Sequence, residues 1–240
     1  MHDLTATVAR NLAQVRAEIA AAARTAGRKP EDIRLIAVSK THPPEAVAAA
    51  IAAGQVDFGE NTVQEALTKI PLYKSVTWHM IGHLQSNKAK SIPGHFGWVH
   101  SLDSLKLAQR LSRLAQEKGV VLDTLFEVNV TRDPAKHGLP PEELAPVLDA
   151  LLKEGHPGLR LRGLMTIGPY PATEADSRAC FARLRAMRDD CRKRFGLKDF
   201  TELSMGMSGD YAAAVKEGST MVRIGTAIFG ERDYGRDRPA

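Results

Sequence analysis

The chain has 240 residues, of which 43% are hydrophobic, 25% charged and 5% aromatic, and its formal net charge is +5. That composition excludes a disordered or fibrous chain, and the length suffices for one domain with a large core. The positive balance suits phosphate-bearing ligands; without stacking aromatics or a nucleic-acid motif near Lys88 and Lys90, a nucleic-acid scaffold is disfavoured.

The start, Met1-His2-Asp3-Leu4, continues as a helical pattern and does not read as a signal peptide. No apolar run is long enough to span a membrane. Cys180 and Cys191 fall in one predicted helix, where a rise of about 1.5 Å per residue sets them roughly 16 Å apart, too far for a disulfide. These features together predict a cytoplasmic protein.

Leu4, Val8, Leu12, Val15 and Ile19 recur at helical spacing, and Gly27 and Pro30 end that first helix. Strand-like and helix-like segments then alternate. The predicted strands are Ile33–Ser39, Val56–Gly59, Thr77–Ile81, Trp98–Ser101, Leu122–Val130, Leu161–Ile167, Glu202–Met205 and Met221–Ile224. Between them lie predicted helices over Pro44–Ala53, Thr62–Tyr73, Asn87–Ser91, Asp103–Lys118, Pro141–Lys153, Glu174–Arg194 and Gly209–Lys216. Eight strands, each but the last followed by a helix, predict an α/β fold with parallel strands. A closed (β/α)8 TIM-type barrel fits this count better than an open doubly wound sheet. No linker divides the chain, so residues 1–240 are expected to form one domain, with an N-terminal helix over 1–27 and a frayed tail over 231–240.

Functional groups of such barrels gather at the C-terminal ends of the strands. Lys40 ends the first strand; Glu60-Asn61 follow the second; His79 and His83 belong to the third, Asn129 to the fifth and Met165-Thr166 to the sixth. A lysine at a barrel mouth is the kind of amine that desolvation turns into a nucleophile toward aldehydes. The segment Ser204-Met205-Gly206-Met207-Ser208 leads into the predicted helix that holds Tyr211, and Gly225-Thr226 follows the last strand. Glycine admits close backbone approach, hydroxyls donate, and helix N-termini favour anions. A lysine facing two such turns suits an aldehyde that carries a phosphate. Pyridoxal phosphate and a phosphorylated sugar on a Schiff-base aldolase both meet that description.

Several ordered stretches are more specific: Ala37-Val38-Ser39-Lys40, Phe58-Gly59-Glu60-Asn61, Trp78-His79-Met80-Ile81-Gly82, Leu84-Gln85-Ser86-Asn87-Lys88, Arg162-Gly163-Leu164-Met165, Leu203 to Ser208, and Met221 to Gly230. In this order they resemble the pyridoxal phosphate homeostasis protein family (the YggS/PROSC group), over nearly the whole chain. The fold of that family is similar to the barrel domain of alanine racemase. The resemblance implies an internal aldimine of pyridoxal phosphate on Lys40, with Ser204, Gly206, Ser208, Gly225 and Thr226 around the phosphate and Asn61 and Met165 beside the ring. Arg223 matches the racemase arginine that faces the pyridine nitrogen, or it serves the phosphate. His83 and Gly209 depart from the family pattern.

Pyridoxal enzymes use the ring as an electron sink, commonly with an acid that keeps its nitrogen protonated. Arginine only donates, so Arg223 at that nitrogen weakens the sink. Racemases add acid and base groups on both faces, one of them from a further domain. About ten residues follow Gly230, so no such domain is expected. The expected role is therefore intracellular pyridoxal phosphate homeostasis, as carrier or regulator of pyridoxal phosphate and related B6 vitamers, without strong amino-acid turnover. Apoenzymes are the expected recipients. A pyridoxal-phosphate-dependent racemase or lyase is the alternative, with His79, His83, Tyr170 and Tyr211 as candidate proton carriers. Lys88 and Lys136 are further amines that the same aldehyde could reach.

Overall fold

A computed structural model describes residues 4–231; the expected frayed tail lies, but for its first residue, outside the described residues. Eight parallel strands close into a barrel in sequence order, which excludes the open sheet. The strands are β1 (Arg34–Val38), β2 (Asp57–Glu60), β3 (Thr77–Met80), β4 (Trp98–Leu102), β5 (Leu122–Glu127), β6 (Leu159–Met165), β7 (Glu202–Ser204) and β8 (Met221–Ile224). The helices are α1 (Leu4–Thr25), α2 (Pro44–Ala52), α3 (Val63–Lys69), α4 (Leu105–Glu117), α5 (Leu144–Glu154), α6 (Glu174–Phe195), α7 (Tyr211–Lys216) and α8 (Thr226–Phe229).

α1 precedes the barrel and packs on α2, α7 and α8 through the stripe Val8, Leu12, Val15 and Ile19. Those residues recur every three or four positions, so one face is apolar and the other is left to water. Asn11 Nδ2 donates to Ile228 O at 2.9 Å, and Arg16 donates to Ala53 O and Gly54 O, both at 3.0 Å. α1 thereby straps the first and last units of the barrel together. Among the described residues no helix is long and apolar enough to cross a membrane.

Register decides what faces inward. Val38 pairs with Gly59, Gly59 with His79 and His79 with Trp98. Met165 pairs with Ser204, Ser204 with Met221, and Ile36 with Arg223. Strand neighbours point to the same face, so these residues share the barrel interior. The alternate residues, such as Ala37, Phe58 and Val222, join the core beneath the helices.

Three local differences from the sequence expectation have physical causes. The connection after β3 is a 3-10 helix, Ser86–Ser91, ended by Ser91-Ile92-Pro93-Gly94. β5 stops at Glu127 because the Asn129 side chain donates to Asp133 O at 2.8 Å and to Lys136 O at 3.3 Å, turning the chain into a loop. α7 begins at Tyr211, two residues later than expected: Asp210 Oδ1 accepts from the Met207 amide at 2.6 Å and holds Met207–Asp210 as a turn.

Candidate functional site

A cavity of about 700 Å³ opens at the C-terminal ends of the strands. Lys40, Asn61, Ser208, Arg223, Gly225 and Thr226 line it, together with Glu127, Lys136 and Asp210. Six of the nine residues expected in the site thus meet in one space. Lys40, two residues beyond β1, is half-buried. The hydroxyls of Ser208 and Thr226 carry no hydrogen bond among the described residues, so each can serve a ligand.

The other three lie behind the cavity wall. Met165 is fully buried in the small apolar cluster of the barrel interior, with Ile36, Trp98, Leu125 and Met221. Gly206 has φ +98° and packs the turn onto α7: a Cβ there would sit 2.6 Å from Ala214 Cβ and 2.9 Å from Tyr211 Cα. Its carbonyl accepts from Arg223 N at 3.0 Å. Ser204 is fully buried beneath Arg223, whose Nη1 donates to Ser204 Oγ at 2.7 Å while Nη2 donates to Thr166 O at 3.0 Å. Within Ser204–Ser208, therefore, only Met207 and Ser208 face the cavity.

Below Arg223 a hydrogen-bonded chain crosses the barrel. Ser204 Oγ lies 2.9 Å from His100 Nδ1, His100 Nε2 lies 3.0 Å from His79 Nδ1, and His79 Nε2 lies 2.9 Å from Asp57 Oδ1. Its two ends fix its polarity, because a carboxylate accepts and a guanidinium donates. His79 Nε2–H donates to Asp57, His100 Nε2–H to His79 Nδ1 and the Ser204 hydroxyl to His100 Nδ1, and Arg223 donates to Ser204 Oγ. Every link is satisfied with both imidazoles neutral. Burial drives both histidines in that direction, His100 well below the ordinary 6.5. His79, expected at the mouth, is thus an interior residue.

Of the remaining candidates, Tyr211 is tied away from the cavity by its hydroxyl, which donates to Glu18 of α1. Tyr170 stands on the rim, 91% exposed. His83 also lines the cavity; it pairs with Asp103 at 3.0 Å and stacks on His137 at a centroid distance of 3.9 Å. Gly82 beside it packs against the β2 loop, where a Cβ would meet Asn61 O at 2.3 Å. Lys136 lines the cavity and donates to Gly168 O at 2.8 Å, whereas Lys88 lies on the 3-10 helix outside it.

Sequence reasoning missed Glu127. It lines the cavity although 4% exposed, and burial pushes its carboxyl up to about 7, against the pull of Arg223. The available signal was a lone carboxylate in the apolar run Leu125-Phe126-Glu127-Val128. Burial also raises Asp210. Arg223, 4% exposed, is pulled down to about 10 by burial and stays cationic at neutral pH.

The comparisons with known proteins agree with this architecture. The family model "Alanine racemase, N-terminal domain" matches residues 10–233. A pyridoxal phosphate homeostasis protein of Pseudomonas aeruginosa is 49% identical over 95% of this chain and 97% of its own length. This chain belongs to the pyridoxal phosphate homeostasis protein family. The Escherichia coli K12 member is 45% identical over 95% of this chain and 98% of its own. Among solved structures, PipY of Synechococcus elongatus PCC7942 superposes with a TM-score of 0.82 in its form with PLP bound, at 39% identity over 93% of this chain and 100% of that one. Alanine racemase from Corynebacterium glutamicum shares the fold alone, at 17% identity and a TM-score of 0.67, and this chain covers 63% of it.

The residues present fit a phosphorylated aldehyde. An amine, two ligand-ready hydroxyls and a buried cation line one cavity. α7 has only six residues, so hydroxyls and turn amides, rather than a long helix dipole, are what this rim would offer an anion.

Proposed function

We propose that this protein binds pyridoxal phosphate as an internal aldimine on Lys40 and serves intracellular pyridoxal phosphate homeostasis as a carrier or regulator, with residues 1–240 acting as one unit in the cytoplasm. One observation carries the reading: Lys40 and the hydroxyl-bearing turns at Ser208 and Gly225-Thr226, far apart in sequence, share a single cavity. When bound, the cofactor supplies an electrophilic aldehyde and an electron-withdrawing ring. Ser208, Gly225 and Thr226 would hold its phosphate, and Asn61 would flank its ring.

Two features of this chain favour holding over turnover. Arg223 offers donors only, so a ring nitrogen set against it stays unprotonated. Of the four candidate proton carriers, His79 and Tyr211 are bound to other side chains outside the cavity. Apoenzymes are the proposed recipients.

Protein incubated with pyridoxal phosphate should become yellow, with an absorbance band that Lys40→Ala abolishes. Borohydride reduction and peptide mapping should place the adduct on Lys40. A colourless wild-type protein, or an adduct only on Lys88 or Lys136, would overturn the assignment. Lys40-dependent exchange of an amino-acid α-proton in deuterated water would instead support a racemase or lyase.

A further inference from the structure

The segment that carries Lys40 is held from behind by a buried charged network outside the cavity. Ser39–His42 form a turn closed by the His42 amide on Ser39 O at 3.1 Å, with Lys40 and Thr41 as its central residues. Thr41 has φ +66°, the left-handed conformation that such a turn usually gives to glycine or asparagine. A β-branched residue does not adopt it unless its surroundings impose it.

Lys69 on α3 supplies the restraint. It is 2% exposed and lines no part of the cavity. Its ammonium has three N–H groups and three partners: Ser39 O at 2.7 Å, Glu60 Oε1 at 2.8 Å and Glu65 Oε1 at 2.7 Å. Ser39 Oγ also donates to Glu60 Oε1 at 2.6 Å, and the Thr41 amide donates to Glu65 Oε1 at 2.5 Å. Ser39 is thus fixed by side chain and carbonyl, and Thr41 by its amide. These are the two residues that flank Lys40. The network also accounts for Glu60 of the Phe58-Gly59-Glu60-Asn61 stretch, which is fully buried and turned away from the cavity that Asn61 lines.

We propose that Lys69, through Glu60 and Glu65, is the positioning residue for Lys40: it locks the strained Ser39–His42 turn so that the Lys40 amine emerges into the cavity in one orientation. The proposal rests on the reading of Lys40 as the aldehyde-binding amine. That amine adds to the aldehyde carbon and water leaves, so the rate depends on how the attacking nitrogen is presented. Binding of the phosphate depends on other residues.

The test measures the rate at which a borohydride-trappable adduct forms on Lys40, with pyridoxal phosphate and, separately, with pyridoxal, which lacks the phosphate. Lys69→Met and Glu65→Ala should slow both aldehydes by a common factor, roughly ten- to a hundred-fold. Glu65→Gln keeps an acceptor for the Thr41 amide and should recover most of the rate. If circular dichroism shows Lys69→Met unfolded, Glu65→Ala decides alone, because Glu65 is the more exposed member of the network and its loss leaves the barrel core intact. Wild-type rates in folded Glu65→Ala would overturn the proposal, and so would slowing confined to pyridoxal phosphate, which would place the effect at the phosphate. A wild-type protein with no adduct on Lys40 would instead overturn the parent reading.

Discussion

The layer between sheet and helices and the inside of the barrel are both buried, yet they are made of different residues. The outer layer is almost wholly apolar, with Leu12, Val47, Leu111, Phe126 and Phe200 fully shielded from water. The interior carries only a small apolar cluster beside the chain Asp57, His79, His100, Ser204 and Arg223. Apolar contacts are non-directional and scale with area, whereas a hydrogen-bonded chain fixes orientation. Stability therefore rests on the outer layer, and the aim of Arg223 on the interior. The Lys69 network is the polar exception within the outer layer: it is buried and bonded to Ser39 and Thr41, the neighbours of Lys40.

The largest effect that separates the two regions is expected in the outer one. Leu111→Ala should cost about 2–5 kcal/mol in denaturant unfolding through lost burial and a residual cavity. It should leave the rate of adduct formation on Lys40 unchanged. A folded Leu111→Ala protein with an altered rate would show that the outer layer also tunes the site.

A pH-dependent effect follows from Glu127. Its carboxyl titrates near 7 in the fold against an ordinary 4.5. Below 4.5 it is protonated in both states. As pH rises toward 7 the unfolded chain ionises first, so stability is lost across that window, by roughly 3 kcal/mol, and stays flat above it. Glu127→Gln removes this loss and should gain on the wild type from pH 4.5 to about 7. Equal pH profiles for the two proteins would contradict the burial argument.

His100→Phe should have the smallest effect on stability, because the ring still fills its space. It leaves His79 Nδ1 and the Ser204 hydroxyl without their partner, at roughly 1–3 kcal/mol. The two histidines, held neutral by burial, stabilise the fold above their ordinary 6.5 and lose that contribution as pH falls below it, so the variant should be less sensitive in that range. It should also alter the absorbance band of the bound cofactor, since Ser204 would no longer be anchored beneath Arg223.

Much of this was legible because it is local. Branched apolar runs marked the eight strands, and proline, glycine and hydroxyl residues marked the helix ends. Lys40, Ser208 and Gly225-Thr226 could be placed because each lies just past a strand. Ser204 and Ser208 could not be told apart from local pattern, since the facing of a three-residue strand and the turn after it depends on the register with β6 and β8. Glu60 read as a mouth residue from its place at a strand end, but its partner Lys69 lies on the following helix and draws it to the other face. His79 was misplaced for a related reason: its partners, Asp57 and His100, stand on the two adjacent strands.

By itself, then, the sequence determined the barrel and placed Lys40, Ser208 and Gly225-Thr226 at strand ends, because strand period, helix caps and glycine turns are written in neighbouring residues. Only the closed sheet decided which polar side chains meet, because barrel register brings together residues from as far apart as β2 and β8. That juxtaposition set Ser204 under Arg223, lined the cavity with a buried carboxyl at Glu127, and put Lys69 behind Lys40.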